Sequence, residues 1–325
     1  MKTPLYPLSF EPLFQYRMWG GNKLQKELGK KINEENIGES WELSAVSKAE
    51  TEVAQGPLKG QKLSTLISEY KGQLVGQKIW EQYGKEFPLL IKFIDARLPL
   101  SVQVHPNDAW AREKHNSFGK NEMWFVMQAD PGAELILGFE NALSPETFES
   151  ALEAGTLDSF LHKEPVSAGD AFYIPTGLVH AIGGGILLVE IQQTSDITYR
   201  MYDFNRVDSL TGSPRELHTD MALSVADFNK KESAKTYSKE INQPNTLINS
   251  PYFSTNYFSL QGELNRDYQT MDSFVILIGL EGQCSLTFQK TTYPLEKGTV
   301  ILLPAAIGSV SLVAMDAQLL EVFMP

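Results

Sequence analysis

The stretch Gly169-Asp170-Ala171-Phe172-Tyr173-Ile174-Pro175-Thr176-Gly177-Leu178-Val179-His180 constrains the fold more than any other part of the chain. A short apolar run between a glycine and a proline reads as a strand with a sharp turn at each end. Glycine permits the turn and proline fixes the exit of the strand. The same punctuation returns from Gly298 to Pro304, again with five residues between the two. A second segment repeats with it. Glu122-Met123-Trp124-Phe125-Val126 lies ten residues before Gly132 when counted from its acid, and Asp272-Ser273-Phe274-Val275-Ile276 lies ten before Gly282. The offset between copies falls from 150 to 129 because the second lacks a helical stretch between its halves. Duplicated strand-and-turn units read as two β-barrels. The second copy lacks the polar residues of the first: Ser309 stands where His180 stands.

Leu100-Ser101-Val102-Gln103-Val104-His105-Pro106 alternates in polarity. Residues two apart on a strand share a face, so Ser101, Gln103 and His105 project together, and Leu100, Val102 and Val104 project the other way. Glutamine and histidine set among valines, with little charge nearby, point to an inward polar cluster. The pattern Gly-(x)5-Pro-x-Gly-x-x-His, with this polar-x-His upstream and a separate Glu, resembles the paired cupin motifs. Turns at Gly169 and Gly177 drop His180 into the barrel mouth, opposite Gln103 and His105. Glu122 opens a strand and reaches the same point. Two imidazoles, a carboxylate and an amide oxygen make a divalent-metal site with a position open to water or substrate. Zn²⁺ suits that donor set; Mn²⁺, Fe²⁺, Co²⁺ and Ni²⁺ also fit it.

The rest of the chain supports a mainly β fold of two cupin-like (jelly-roll) β-barrels with short helical segments. Phe87 to Ala96 reads as a buried strand, with Lys92 inside its apolar run, either packing its stem and reaching water or serving the site. Leu63 to Tyr83 reads as one or two helices broken near Gly72 and Gly76. Ser144 caps a helix that has Pro145 at its first position and runs towards Glu153. Glu216 to Ala226 reads as a further helix, and strands follow from about Tyr252. The expected division is a catalytic cupin domain over 1–245, with helical insertions at about 60–85 and 144–162, and a second, metal-free cupin-like domain over 246–325. His115, His162 and His218 read as ordinary surface or loop histidines, and Asp203 and Arg206 as a mutual pair.

Charge and composition exclude several classes. The net charge of −12 leaves no surplus of basic residues to displace counterions from nucleic acid. No run approaches the roughly 20 apolar residues of a membrane span, and the N-terminus lacks the apolar core of a secretory signal. Cys284 is the single cysteine. It excludes an intrachain disulfide and points to a reducing cytoplasm. The oligomeric state is not legible.

Four longer matches are more specific than the cupin pattern: Phe87 to Lys92, Leu100 to Pro106, Gly119 to Trp124, and Val189-Glu190-Ile191-Gln192-Gln193-Thr194-Ser195-Asp196-Ile197-Thr198-Tyr199-Arg200. With them the chain resembles the type I mannose-6-phosphate isomerase family in its short bacterial form, from about residue 5 to 325. The resemblance implies that Gln103, His105, Glu122 and His180 are zinc ligands and that Arg200 is a catalytic arginine, with Asp196 four residues before it. It places Lys92, Ser101, Lys120 and Glu190 at other pocket positions. The implied reaction is aldose–ketose isomerisation of a sugar phosphate, with a proton moved between C2 and C1 through an enediol. Arg200 and Lys120 are candidates to stabilise the enediolate or to hold phosphate, and Glu190, Asp196 and Lys120 to shuttle the proton. The rival readings are a metal-dependent cupin oxygenase and a non-catalytic sugar-binding cupin.

Overall fold

A computed structural model describes residues 2–229 and 231–325. The fold is mainly β, as the strand punctuation predicts, and the chain divides into two compact units. One is built from Phe14–Ser40 and Ile91–Lys235. The other is built from the chain up to Leu13, Trp41–Leu90 and Thr236–Pro325.

The unit holding His105 and His180 is formed around two sheets. A six-stranded sheet has the order Ala171–Ile174, Glu122–Ala129, Ile186–Gln193, Leu89–Ala96, Leu13–Gly21, Ile37–Leu43. A five-stranded sheet has the order Leu161–Pro165, Glu134–Phe139, His180–Ile182, Val102–Val104, Tyr199–Tyr202. Trp19, Ile94, Trp124, Phe172 and Leu188 of the larger sheet pack against Leu135, Leu137 and Ile182 of the smaller. Interdigitating inner faces of this kind make the core of a β-sandwich.

Val102, Val104, Ile136, Tyr199 and Met201 face the other way. They pack under Phe148 and Ala222 of the helices Pro145–Glu153 and Thr219–Val225. The predicted alternation thus holds for Val102 and Val104. It fails at Leu100, which lies outside the paired strand and joins Trp19 and Trp124 in the inner core. Ser144 Oγ accepts from Thr147 N at 3.2 Å, so the predicted cap is formed. The last helix is shorter than predicted and begins at Thr219. Residues 216–218 instead pair with Arg200: its guanidinium donates to Glu216 O, and His218 N donates to Arg200 O.

In the other unit, the strands run Asn245–Asn249, Ser254–Asp267, Ser309–Phe323, Val275–Phe288, Thr291–Glu296, and Val300–Leu303 also pairs with Val275–Phe288. Leu260, Leu277, Leu286, Leu303, Leu312 and Leu319 fill its core. The stretch 63–83 forms three helices, Leu63–Tyr70, Gly72–Val75 and Gln77–Tyr83, separated at Lys71 and Gly76. Gly76 has φ 101, which favours glycine.

Chain order suggests that these helices insert into the catalytic domain, but they pack with the C-terminal strands. Ala305 N and Ala306 N donate to Leu74 O and Gln73 O, both at 2.9 Å, and the Phe87 and Phe274 rings lie 4.6 Å apart. The segment before Leu13 joins the same unit through reciprocal 2.8 Å bonds between Leu8 and Leu302.

Strand register also corrects the internal repeat. Ile174 pairs with Glu122, and Leu303, its counterpart, pairs with Val275. The structural equivalent of Glu122 is therefore Val275, three residues beyond Asp272. Asp272 serves a different purpose: its carboxylate accepts from Gln77 N at 2.6 Å and Lys78 N at 3.0 Å, where the helix Gln77–Tyr83 starts.

Candidate active site

The inner face of the six-stranded sheet changes from apolar to polar in steps of two residues. Trp124 gives way to Glu122, Leu188 to Glu190, Ile94 to Lys92 and Trp19 to Arg17. Side chains two apart share a face, so these polar residues lie at one end of the same surface. On the facing sheet, Gln103 pairs with His180 on one side and with Arg200 on the other. Residues directly opposite in a ladder project to the same face. Three adjacent strands therefore carry an imidazole, an amide and a guanidinium abreast.

Two backbone contacts hold the histidine stretches together. Gly177 N donates to His105 O at 3.0 Å, with Gly177 at the φ of 84 that its turn requires. Lys120 N donates to Pro106 O at 3.3 Å. Buried Asn121 is a hub: its N and Nδ2 donate to Gln193 Oε1, and its Oδ1 accepts from Thr176 N.

His105, Glu122 and His180 are buried, and each offers a ligand atom, all lying within 4.8 Å of one another. His105 Nδ1 lies 2.9 Å from Ile197 O, and His180 Nδ1 lies 2.8 Å from Leu178 O. A carbonyl can only accept, so both Nδ1 atoms carry the proton and both Nε2 atoms are bare in the neutral rings. The two Nε2 atoms face each other at 3.2 Å. Glu122 Oε1 lies 3.4 Å from His105 Nε2, and Glu122 Oε2 is buried with no hydrogen bond to any of the described residues. Lone pairs converging in this way fit a divalent cation, and histidines tied back to carbonyls are its usual outer support. Gln103 Nε2 lies 3.4 Å from His180 Nε2, and rotating the amide brings its oxygen to the same place.

Burial pushes the His105 imidazole down to about 4, with Lys120 acting in the same sense, and burial lowers His180 too. Burial works to raise the Glu122 carboxyl, but Lys120 and His105 outweigh it and hold it well below the usual carboxylate range. Neutral imidazoles and an ionised carboxylate are the states that metal binding requires. Lys120 Nζ contacts Glu122 Oε1 and lies 3.1 Å from His105 Nε2. Burial works to lower its pKa; Glu122 and Glu190 outweigh that and raise it.

Glu190 is buried beside this cluster. Trp124 Nε1 donates to its Oε2 at 2.9 Å, and Lys92 Nζ lies 3.1 Å from its Oε1. Lys92 also lies 3.9 Å from Glu39, which Arg17 holds through two bonds of 2.9 and 3.0 Å. The Lys92 amine is thus buried between two acids instead of reaching water. The sequence alone does not single out Arg17, Glu39 or Trp124 as site residues. The available signal was an acid inside a strand, Ile37–Leu43, whose every residue is buried and which therefore needs a cation.

Arg200 Nε donates to Ser101 Oγ at 3.3 Å and Nη1 to Glu216 O at 2.7 Å, while Nη2 bonds to none of the described residues. Asp196 is exposed and takes no part in the hydrogen bonds of the cluster. Asp203 pairs with Arg206 as predicted, and with Arg215 as well.

A β-sandwich that ends in a buried His₂Glu group defines the class as a cupin-type protein arranged to hold a divalent cation. The description of the type I phosphomannose isomerase catalytic domain matches residues 8–124, and that of the mannose-6-phosphate isomerase cupin domain matches residues 243–323. The chain is 38% identical over 305 residues to a mannose-6-phosphate isomerase of Streptococcus mutans, covering 93% of this chain and 94% of that one. It is 37% identical over 310 residues to mannose-6-phosphate isomerase ManA of Bacillus subtilis, covering 94% and 95%. A crystal structure of the mannose 6-phosphate isomerase from Bacillus subtilis superposes with a TM-score of 0.88 at 33% identity, over 97% of this chain and 99% of that one. The chain belongs to the type I phosphomannose isomerase family.

Proposed function

We propose that this protein interconverts mannose 6-phosphate and fructose 6-phosphate by moving a proton between C2 and C1 through an enediol. The observation that carries the reading is the convergence of His105, Glu122 and His180, with Gln103 and Arg200 on the adjacent strands, in a chain of this family. A divalent ion held by His105, Glu122, His180 and Gln103, Zn²⁺ in this reading, supplies Lewis-acid polarisation of the sugar oxygens when bound. Arg200, fixed by Ser101 and Glu216 O, turns Nη2 towards the substrate and stabilises the negative charge that develops on the enediolate. We assign the proton transfer to Lys120 and Glu190, the two candidates buried beside the cluster, and not to exposed Asp196. Lys92 sets the charge around Glu190. A single, buried cysteine is consistent with a reducing cytoplasm.

The test is incubation of mannose 6-phosphate with the Zn²⁺-loaded protein in D₂O under strict anoxia. Fructose 6-phosphate carrying deuterium at C1 is the expected product. Sugar binding with neither product nor exchange would refute the reading, and a requirement for O₂ would replace it with an oxygenase.

A further inference from the structure

We infer that His218 is a positioning residue for Arg200, and that residues 216–218 act as a strap setting the direction of its guanidinium. The inference rests on the role given to Arg200 above. Among the described residues, Tyr199–Tyr202 is the last strand of its sheet, so one row of its backbone groups has no neighbouring strand. Its pairing with Val102–Val104 is irregular between Arg200 and Tyr202. At Arg200 the open edge is closed by His218. Arg200 N donates to His218 Nδ1 at 3.2 Å, and His218 N donates to Arg200 O at 2.7 Å.

An imidazole nitrogen thus stands where a ladder carbonyl would stand. Because it accepts from an N–H, Nδ1 is unprotonated and the ring carries its proton on Nε2. Two residues earlier, Glu216 O takes the guanidinium Nη1. Backbone and side chain of Arg200 are therefore held by one three-residue segment. The His218 ring also lies against that of Tyr199, 6.4 Å between centroids. The Tyr199 hydroxyl is fixed in turn by Trp110 Nε1 at 3.0 Å and His115 Nε2 at 2.6 Å. A guanidinium two strands from His180 is aimed by this frame, and a small change of aim at a charge-stabilising group is felt in the transition state.

The test compares His218→Ala, His218→Asn, Arg200→Ala and the double variant Arg200→Ala/His218→Ala, all Zn²⁺-loaded, by steady-state kinetics, metal content and thermal melting. His218→Ala is expected to lower kcat about tenfold with KM nearly unchanged and full metal content. Asn places an acceptor on the same side-chain carbon, so His218→Asn is expected to restore kcat to within about twofold of the parent. In the Arg200→Ala background, removing His218 is expected to cost almost nothing more, because the two act as a unit. If the alanine chain does not fold, His218→Leu, similar in bulk and without an acceptor, takes its place. A parental kcat for His218→Ala overturns the inference. So does equal damage from Ala and Asn, or a further tenfold loss in the double variant. A parental kcat for Arg200→Ala alone removes the role of Arg200 first, and is thereby told apart from a failure confined to His218.

Discussion

Glu122 shows how much a single buried charge depends on its neighbours. It is wholly buried, yet the adjoining Lys120 ammonium holds its carboxyl well below the usual carboxylate range. Glu122→Ala removes a proposed metal ligand and leaves the Lys120 ammonium buried without its closest anion. Breaking a buried pair from one side costs about 3–5 kcal/mol. The variant is expected to lose its metal in elemental analysis and to unfold at markedly lower urea concentration. Asp203 offers a pH test. Burial works to raise its pKa, but Arg215 and Arg206 outweigh this and hold it below the ordinary value. A depressed folded pKa contributes stability that is present above the unfolded pKa, about 3.9, and is lost as pH falls through the folded value. Asp203→Asn is therefore expected to flatten the decline of urea stability below about pH 4, while a decline as steep as in the parent would show that the pair contributes nothing. In the sequence His218 reads as an ordinary surface or loop histidine; its contact with Arg200 depends on the open edge of the strand Tyr199–Tyr202, which no local pattern announces.

At the scale of elements, the loop that carries Lys120 into the site is held by close backbone approach. A Cβ on Gly119 would lie 2.6 Å from Asp108 N and 2.8 Å from Asn107 C, atoms of the start of the helix Asp108–His115. Backbone cannot yield as a flexible side chain can, so Gly119→Ala is expected to push the loop off the helix and misplace Lys120 and Glu122. Overpacking of this kind costs about 1–3 kcal/mol. The expected signature is weakened Zn²⁺ binding in calorimetry together with a lowered melting temperature. Asn107 Oδ1 caps the same helix by accepting from Trp110 N at 2.9 Å. Asn107→Ala is expected to cost about 1 kcal/mol without displacing the proposed metal ligands, which separates loss of helix stability from loss of loop position. The caps at Ser144 and the turns at Gly76 and Gly177 were readable because residue type there is set by the conformation of a few adjacent residues. The packing of the helices over 63–83 was not, because an apolar helix face states that it will be buried and not against what.

For the whole molecule, a cation that binds the folded chain and not the unfolded one adds stability by mass action, about 2.7 kcal/mol at a hundredfold excess over Kd. Chelation is expected to lower the melting temperature and abolish turnover together, and Zn²⁺ to restore both. Loss of activity with no change in melting would place the required metal outside the His₂Glu group. By itself the sequence determined the β class, the turns that frame its strands, the four side chains proposed to hold metal, and the family. The class, the turns and the donor set follow from short-range rules: period-two alternation, the dihedral demands of glycine and proline, and the donor chemistry of histidine and glutamate; the family follows from resemblance along the longer matched stretches. Tertiary structure alone decided that Val275, and not Asp272, matches Glu122, that Lys92 lies between Glu39 and Glu190, that the helices over 63–83 pack with the C-terminal strands, and that His218 meets Arg200. Each of these is a choice of partner between segments distant in the chain. Register and burial settle such choices through the free energy of the packed whole, which no window of neighbouring residues contains.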